Sequence, residues 1–217
     1  KLVHSHIYEL GDLGVDRIFF PRVVYEKSED KTTSNSFNCP IIIGYPEVVQ
    51  CSIDSKVPVD SPVITFRGYD LQLKPLVKYM EQYGVSKKTV KAAQKKAIEE
   101  YERFGNELRQ KNMDAFEASQ KAGRMSIVLA GRPYHTDPLI QHKVSDMIAK
   151  LGVDVLTEEI ARNMNIDERE TFILKQWTFV NRILNSAQWT ARQNNLVHFV
   201  ETTSFGCGPD AFFVDEV

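Results

Sequence analysis

The feature that most constrains the fold of this chain is an alternation of apolar runs and helical patterns after residue 124. Ser126–Ala130 is a β-rich apolar run, and Val153–Leu156 is a second one. Between them, Asp137 precedes a proline, a pair that predicts a helix start, and Gly152 is placed to end that helix. The spacing of the two apolar runs is that of a βαβ unit.

A second helical pattern and a third apolar run extend this order. The pattern covers roughly residues 167–193, and its apolar face includes Phe172, Ile173, Trp177, Val180, Ile183, Leu184 and Ala187. Leu196–Val200 then predicts a third strand. The order β-α-β-α-β predicts a parallel, Rossmann-like sheet, because consecutive parallel strands need helical crossovers.

The first 66 residues predict a similar but incomplete unit. Its predicted elements are a helix (Leu2–Leu13), a strand (Val15–Phe20), a polar loop (Glu26–Asn38) and a strand (Pro62–Phe66). The segment from Pro40 could be a helix or a short strand, because Gly44 and Pro46 disfavour both. We therefore predict an α/β fold of two Rossmann-like parallel-sheet units, the first incomplete, at residues 1–68 and 124–217. A helical connector at 69–123 joins them, and the second unit is expected to be truncated at its end.

Charge and apolar patterning exclude several classes of function. The formal net charge is −2 with 26% charged residues, which gives no support to a nucleic-acid or polybasic membrane role. The apolar runs are only strand-length, and no signal peptide is recognisable, so no membrane association is expected. The three cysteines are too few for a disulfide framework, and their odd number indicates a reducing, cytoplasmic compartment.

Polar residues follow each predicted strand of the second unit. In open parallel sheets, ligands bind at the carboxyl ends of the strands, so these residues are site candidates. They are Arg132, Tyr134 and His135 after the first strand, Thr157, Glu158 and Glu159 after the second, and the segment Thr202–Gly208 after the third. Cys39 occupies a corresponding loop in the first unit.

Two of the three cysteines lie at these loop edges and beside predicted helix starts. Cys207 is flanked by Gly206 and Gly208, which allow the backbone to approach a bulky group, whereas Cys51 lies in an apolar segment that indicates a structural role. Two thiolates do not identify a cofactor, because zinc and iron–sulfur sites usually have four donors, often in tight C-x-x-C pairs. A metal site and buried, inert cysteines therefore both stay open. The chain also has no phosphate-binding G-x-x-x-x-G-K-[ST] or G-x-G-x-x-G loop.

Several motifs along nearly the whole chain resemble one protein family. They are Leu2-Val3-His4-Ser5-His6, the strand Val15–Pro21, Asn38-Cys39-Pro40, Tyr45-Pro46-Glu47, Ala130–Pro138, Val155–Glu158, Gln176-Trp177 and Ser204–Asp210. In these motifs the chain resembles the (R)-2-hydroxyglutaryl-CoA dehydratase activators, also described as acyl-CoA dehydratase activase-related proteins. Ser5 and Arg22 depart from the family pattern, in which smaller residues are usual at both positions.

The resemblance implies an iron–sulfur module. The region is similar to dehydratase subunits that hold a [4Fe–4S] cluster by three cysteines and leave one iron open, so Cys39 and Cys207 become the expected ligands. Arg132, Tyr134 and His135 would line the open side, and Glu47 and Ser204 complete the residues expected around substrate or cluster. In the family, the third cysteine precedes the segment that matches the first residues of this chain. We therefore expect the chain to be a fragment that binds the cluster poorly or not at all, in contrast to the full-length protein.

The resemblance also implies partners. ATPase domains upstream in the same polypeptide would drive a low-potential electron into the cluster, and an acyl-CoA dehydratase or an acyl-CoA substrate would receive it. The resulting hypothesis is an electron-transfer or dehydratase-like module, inactive when isolated. The alternatives are a non-catalytic domain that docks a dehydratase, and a structural α/β domain without a cluster.

Overall fold

The computed structural model describes residues 2–29, 33–137, 139–164, 176–204 and 206–217. The chain forms two compact units: Lys1–Lys27 with Ser36–Lys96, and Ser28–Asn35 with Ala97–Val217. Both units combine helices with short parallel sheets, so the predicted α/β class of two Rossmann-like units is confirmed. Within the described residues, no helix is long and apolar enough to cross a membrane.

The first unit has helices packed on short parallel strands. Its elements are α1 (Leu2–Asp12), β1 (Ile18–Phe19), β2 (Arg22–Tyr25), α2 (Pro40–Ser52), β3 (Val59–Asp60), β4 (Val63–Thr65) and α3 (Tyr69–Glu81). The segment from Pro40 is thus a helix, with proline in its first turn, where a missing N–H costs nothing. Ile7, Ile18 and Val49 form the buried core of this unit.

The strands of the first unit form one parallel ribbon with a break. β1 pairs with β3 and β2 with β4, and the same sequence offset relates Ile18 to Val59 and Arg22 to Val63. Pro21 and Pro62 lie opposite each other at the break, and neither can donate a backbone hydrogen bond to the ladder. The two short strand pairs therefore share one register, and the prolines interrupt the ladder between them.

A long helix, α4 (Lys87–Lys121), precedes the sheet of the second unit. The further elements are β5 (Ser126–Ala130), α5 (Val144–Lys150), β6 (Asp154–Thr157), α6 (Thr178–Ala191), β7 (Val197–Glu201) and α7 (Gly208–Phe213), with 3₁₀ turns at Pro133–Thr136 and Glu158–Ala161. The sheet order is β6-β5-β7, and both pairings are parallel.

The core of the second unit is formed by its three strands, the 3₁₀ turn after β6 and α6. Its buried residues are Val128, Leu156, Ile160, Ala161, Trp189 and Val197, and Met113, Phe116, Met164 and Phe199 pack against them. Phe116 of α4 meets Trp189 of α6 edge-on, with ring centroids 5.0 Å apart. Val180 and Leu184 of the face predicted for the second helical pattern instead form a separate buried cluster with Phe213.

Two helix starts differ from the prediction. The helix expected after Asp137 begins at Val144, because His142 and Lys143 have positive φ values of 52° and 62°, which a continuous helix does not allow. The helix expected from residue 167 begins at Thr178, because Trp177 has a φ of 70°. Residues 167–175 of that prediction lie outside the described residues.

Candidate functional site

The sheet order of the second unit determines where a site can form. From the central strand β5 the chain passes first to β6 on one side and then to β7 on the other, so the order reverses between β5 and β7. In parallel α/β sheets, ligands bind in the crevice at such a reversal, beyond the carboxyl ends of the strands. The loops that follow β5 and β7 are therefore the expected location of a site.

Arg132 and Asp210 join these two loops. Arg132 follows β5 and donates two hydrogen bonds to Oδ1 of Asp210, from Nε at 3.1 Å and from Nη2 at 2.6 Å. The two side chains are only 12% and 4% exposed. Oδ2 of the same carboxylate accepts a hydrogen bond from the backbone N–H of Ser204, so Asp210 holds the loop after β7 as well.

The charge of Asp210 is maintained by these contacts. Burial by itself would raise the pKa of the Asp210 carboxyl, but the hydrogen bonds from Arg132 and from the Ser204 backbone hold that pKa below its usual value. The guanidinium also lies 5.8 Å from the ring centroids of Trp177 and Phe213. The pair is a buried, mutually neutralised ion pair that fixes loop geometry.

Tyr134, His135 and Ser204 form a hydrogen-bonded chain across the same loops. The hydroxyl of Tyr134 lies 2.7 Å from Oγ of Ser204, which in turn lies 3.2 Å from Nε2 of His135. Nδ1 of His135 accepts the backbone N–H of Arg132 at 3.0 Å, so in the neutral ring the proton is on Nε2 and is donated to Ser204. Burial has the largest effect on the pKa of His135 and lowers it. The nearby charge of Asp210 has the next largest effect and raises it. His135 is thus held as a neutral donor and is not oriented as a base toward Ser204.

Cys207 lies at the end of the loop after β7. It is half-buried and directly precedes α7, and its backbone N–H donates to the carbonyl of Ser204 at 3.0 Å. Gly206 has a φ of 81°, a conformation that favours glycine, and no atom lies within 4 Å of a Cβ built on Gly208. We refer to Arg132, Tyr134, His135, Ser204, Cys207 and Asp210 as the β5–β7 site.

The structure therefore brings five of the seven predicted site residues together in the second unit. The other two, Cys39 and Glu47, lie in the first unit. Cys39 is half-buried and directly precedes α2, as predicted, and Glu47 of that helix forms an ion pair with Arg22 at 2.7 Å. Cys51 is exposed on α2 and is not a core residue of the first unit, and its structural role stays a prediction.

A cavity opens beside the β5–β7 site. Its volume is about 280 Å³, and it is lined by Leu129, Ala130, Gly131, His135, Thr136, Gln141, Ser145, Val155, Thr157 and Thr202. Gly131 is required at one wall, because a Cβ there would lie 2.3 Å from Oγ1 of Thr202 and 2.7 Å from Nδ1 of His135. The polar loops and the cavity thus share His135 and Thr202.

Sequence reasoning missed a cluster of buried charges behind β6. Arg182 of α6 donates to both carboxylate oxygens of Glu29, at 3.0 and 2.6 Å, and also to Glu159. Arg162 completes the cluster through Glu159 at 2.9 Å and Glu29 at 3.6 Å. Two cations face two carboxylates, so the cluster is neutral as a whole.

Glu158 beside this cluster is a buried carboxyl of a different kind. It is 3% exposed, and within the described residues its Oε2 atom has no hydrogen-bond partner. Burial raises its pKa to about 7, with Glu159 adding to the rise and Arg182 opposing it. Asn181 on α6 is 5% exposed, and neither atom of its amide has a partner there.

The donor set for an iron–sulfur cluster fits this chain only in part. Cys39 and Cys207 each have a half-buried thiol before a helix, and the neighbours of Cys207 leave room for a bulky group. Among the described residues, however, no group of three or more His, Cys, Asp or Glu side chains could hold a metal ion. The described residues therefore do not form a complete cluster site.

The parallel sheet defines the second unit as an α/β unit of the Rossmann-like class, with a candidate site in the polar loops at the reversal of its strand order. A family model described as the CoA enzyme activase uncharacterised domain (DUF2229) matches residues 1–160. The chain belongs to this family of CoA enzyme activase-related proteins, and the predicted resemblance is confirmed. No curated protein matches the chain, and neither does any solved structure.

Proposed function

We propose that the chain is the cysteine-bearing part of a CoA enzyme activase-related protein and contributes Cys39 and Cys207 to a [4Fe–4S] cluster. A further cysteine, outside this chain, would complete the ligand set. Such a cluster would supply one-electron transfer, fed by ATPase domains of the longer polypeptide, to a CoA enzyme or an acyl-CoA substrate. The observation that carries the proposal is the position of Cys207, open on its glycine side, at the reversal of the sheet.

The residues around Cys207 support a role in positioning this thiol. Asp210 accepts hydrogen bonds from Arg132 and from the backbone of Ser204, three residues before Cys207. Hydrogen bonds through Asp210 therefore tie the loop that bears the cysteine to the loop after β5. Ligand side chains of metal sites are commonly held by such hydrogen-bonded neighbours, whose loss weakens metal binding.

Tyr134 and His135 would act on whatever enters the crevice. Both side chains hydrogen-bond to Ser204, and His135 is held in its neutral, Nε2-protonated form. Because both ring nitrogens of His135 are engaged, one hydroxyl hydrogen of the Tyr134–Ser204 pair remains to orient a carbonyl oxygen without a full positive charge beside it. In this proposal, the polar wall that faces the substrate consists of Tyr134, His135 and Ser204. Glu47 acts in the first unit, where its ion pair with Arg22 orients both side chains.

A second function, docking without a cluster, is favoured by one surface. The face of α2 exposes large apolar side chains, namely Ile41, Ile42, Tyr45 and Val48. Contiguous apolar surface on a soluble protein is typical of interaction sites. A docking domain would use this face and would have no need of the thiols.

The test is iron and acid-labile sulfide analysis after anaerobic reconstitution, with EPR after reduction. It uses a polypeptide that extends this chain at its amino end, with the present chain alongside. Variants Cys39→Ser and Cys207→Ser are compared with Cys51→Ser, a matched control because Cys51 is an exposed cysteine on α2.

We expect about four irons per extended chain, retained in the Cys51 variant and lost in the other two. Far-ultraviolet circular dichroism checks that each variant is folded. Iron that survives both substitutions, or no iron in any folded protein, would reject the proposal. The second of these results would favour the docking function.

A further inference from the structure

Among the described residues, no Asp, Glu, Lys or Arg lines the cavity beside the β5–β7 site. Of its ten lining residues, only His135 can carry a charge, and its pKa is lowered by burial. Leu129, Ala130 and Val155 give it an apolar wall. This composition disfavours a charged ligand, because burying a charge without a partner is costly.

Most polar groups around the cavity are already engaged within the protein. Oγ1 of Thr202 donates to the carbonyl of Ala130 at 3.0 Å, and the side chain of Gln141 bonds to the backbone of Ser145 and Thr136. The hydroxyl of Ser145 is different, since it makes no hydrogen bond within the part of the chain that the structure describes. Ser145 thus offers one free donor and acceptor to a ligand.

Two ionisable residues, Arg132 and Glu201, are adjacent in sequence to the lining residues Gly131 and Thr202. Arg132 is adjacent to Gly131, but its guanidinium is bonded twice to the buried carboxylate of Asp210. Glu201 at the end of β7 is half-buried, and burial raises the pKa of its carboxyl, with Asp210 adding to the rise. Lys143, between β5 and α5, is exposed and does not line the cavity, so a carboxylate inside it would find no cation to pair with among the described lining residues.

We propose that this cavity binds a small uncharged group that carries a carbonyl, and that it discriminates against carboxylates. Its volume of about 280 Å³ exceeds that of an apolar cavity of about 150 Å³ that binds benzene, so a group of several heavy atoms fits. The donor for the carbonyl is the hydroxyl of Ser145. This proposal rests on the proposed function in one respect: if the chain serves acyl-CoA chemistry, the acyl groups are short and lack a second carboxylate.

The test compares butanamide with butanoate, which have the same size and differ in charge. Each is titrated at pH 7 into isotopically labelled protein, and binding is followed by the NMR shifts of the backbone amides lining the cavity, including Thr157 and Thr202. Variant Ser145→Leu fills the cavity and removes the hydroxyl. Ala149→Leu is its control, because Ala149 is exposed on the same helix and does not line the cavity.

We expect butanamide to bind at millimolar concentration, at least about tenfold more tightly than butanoate. The Ser145 variant should lose this binding and the Ala149 variant should keep it. Equal binding of the two compounds, tighter binding of butanoate, or binding of neither would overturn the proposal, as would unchanged binding in a folded Ser145 variant. The titration needs no iron, so its result is independent of the cluster assay.

Discussion

Glu158 should make the stability of the second unit fall between pH 5 and pH 8. Its carboxyl is buried beside β6, and its pKa is raised to about 7 from an ordinary value of 4.5, chiefly by burial. Replacing it by glutamine removes the ionisation and keeps the size of the side chain. The comparison of Glu158→Gln with the unmodified protein therefore isolates the cost of ionising this buried group.

The sign and size of the effect follow from proton linkage. Below pH 4.5, the carboxyl is protonated in both the folded and the unfolded chain, and no stability is lost. As the pH rises toward 7, the unfolded chain releases its proton first, so the free energy of unfolding decreases by about 1.4 kcal/mol per pH unit. Above the folded pKa of about 7, the carboxyl is ionised in both states and the free energy of unfolding falls no further. The total decrease caused by this carboxyl is about 3 kcal/mol.

Urea unfolding followed by tryptophan fluorescence measures this directly. Both tryptophans, Trp177 and Trp189, belong to the second unit, so the signal reports its unfolding. Between pH 5 and pH 8, the unmodified protein should lose about 2 to 3 kcal/mol more than the Glu158 variant. Glu117→Gln, at an exposed site on α4, is the control and should follow the unmodified protein.

A pH dependence that is the same in the Glu158 variant and in the unmodified protein would refute the reasoning. It would mean that the carboxyl is solvated or partnered in solution, contrary to its burial. The absolute stability of the variant at one pH is not decisive, because the glutamine amide also needs partners. Only the change with pH tests the ionisation.

Five further substitutions, three at buried contacts and two at comparison sites, test the packing and the ion pairs. Arg182→Met should destabilise the second unit by about 3 to 5 kcal/mol in urea unfolding, because it leaves buried carboxylates uncompensated, whereas Arg103→Met, at an exposed ion pair, should leave the unfolding midpoint unchanged. Gly131→Ala should lower the free energy of unfolding by about 1 to 3 kcal/mol, because the added Cβ would lie 2.3 Å from the hydroxyl of Thr202. Gly44→Ala, in open space on α2, should raise it by about 0.5 to 1 kcal/mol in the same assay. Asp210→Asn should speed amide hydrogen exchange in the loop after β7 by about tenfold or more, because charge-assisted hydrogen bonds are about twice as strong as neutral ones. Unchanged exchange in that loop would contradict the role of Asp210 as the link between the two loops.

The strands of the second unit could be predicted from the sequence because their signal is local. Ser126–Ala130 is an apolar run whose ends coincide with β5 as observed, and the predicted strands after it are present and pair in parallel with β5. The helix starts were less predictable. The φ of 70° at Trp177 and those of His142 and Lys143 interrupt helical patterns that periodicity alone continues.

The candidate site was predictable in its location but not in its contacts. The strand-edge rule selects Arg132, Tyr134, His135 and Cys207 from the sequence. It does not indicate Asp210, because the ion pair with Arg132 joins residues 78 positions apart and leaves no local pattern. The exposure of Cys51 was missed for a related reason, since an apolar segment does not reveal which face of its helix is buried.

Glu29 has a consequence for how this chain can be divided. It lies in the segment Ser28–Asn35, which belongs to the second unit although the residues on both sides belong to the first. A truncation that keeps only residues 97–217 would remove Glu29 and leave two buried guanidinium groups, of Arg162 and Arg182, facing the single carboxylate of Glu159. No single cut therefore yields an intact second unit, and shortened versions for expression need the 28–35 segment supplied in cis or by circular permutation.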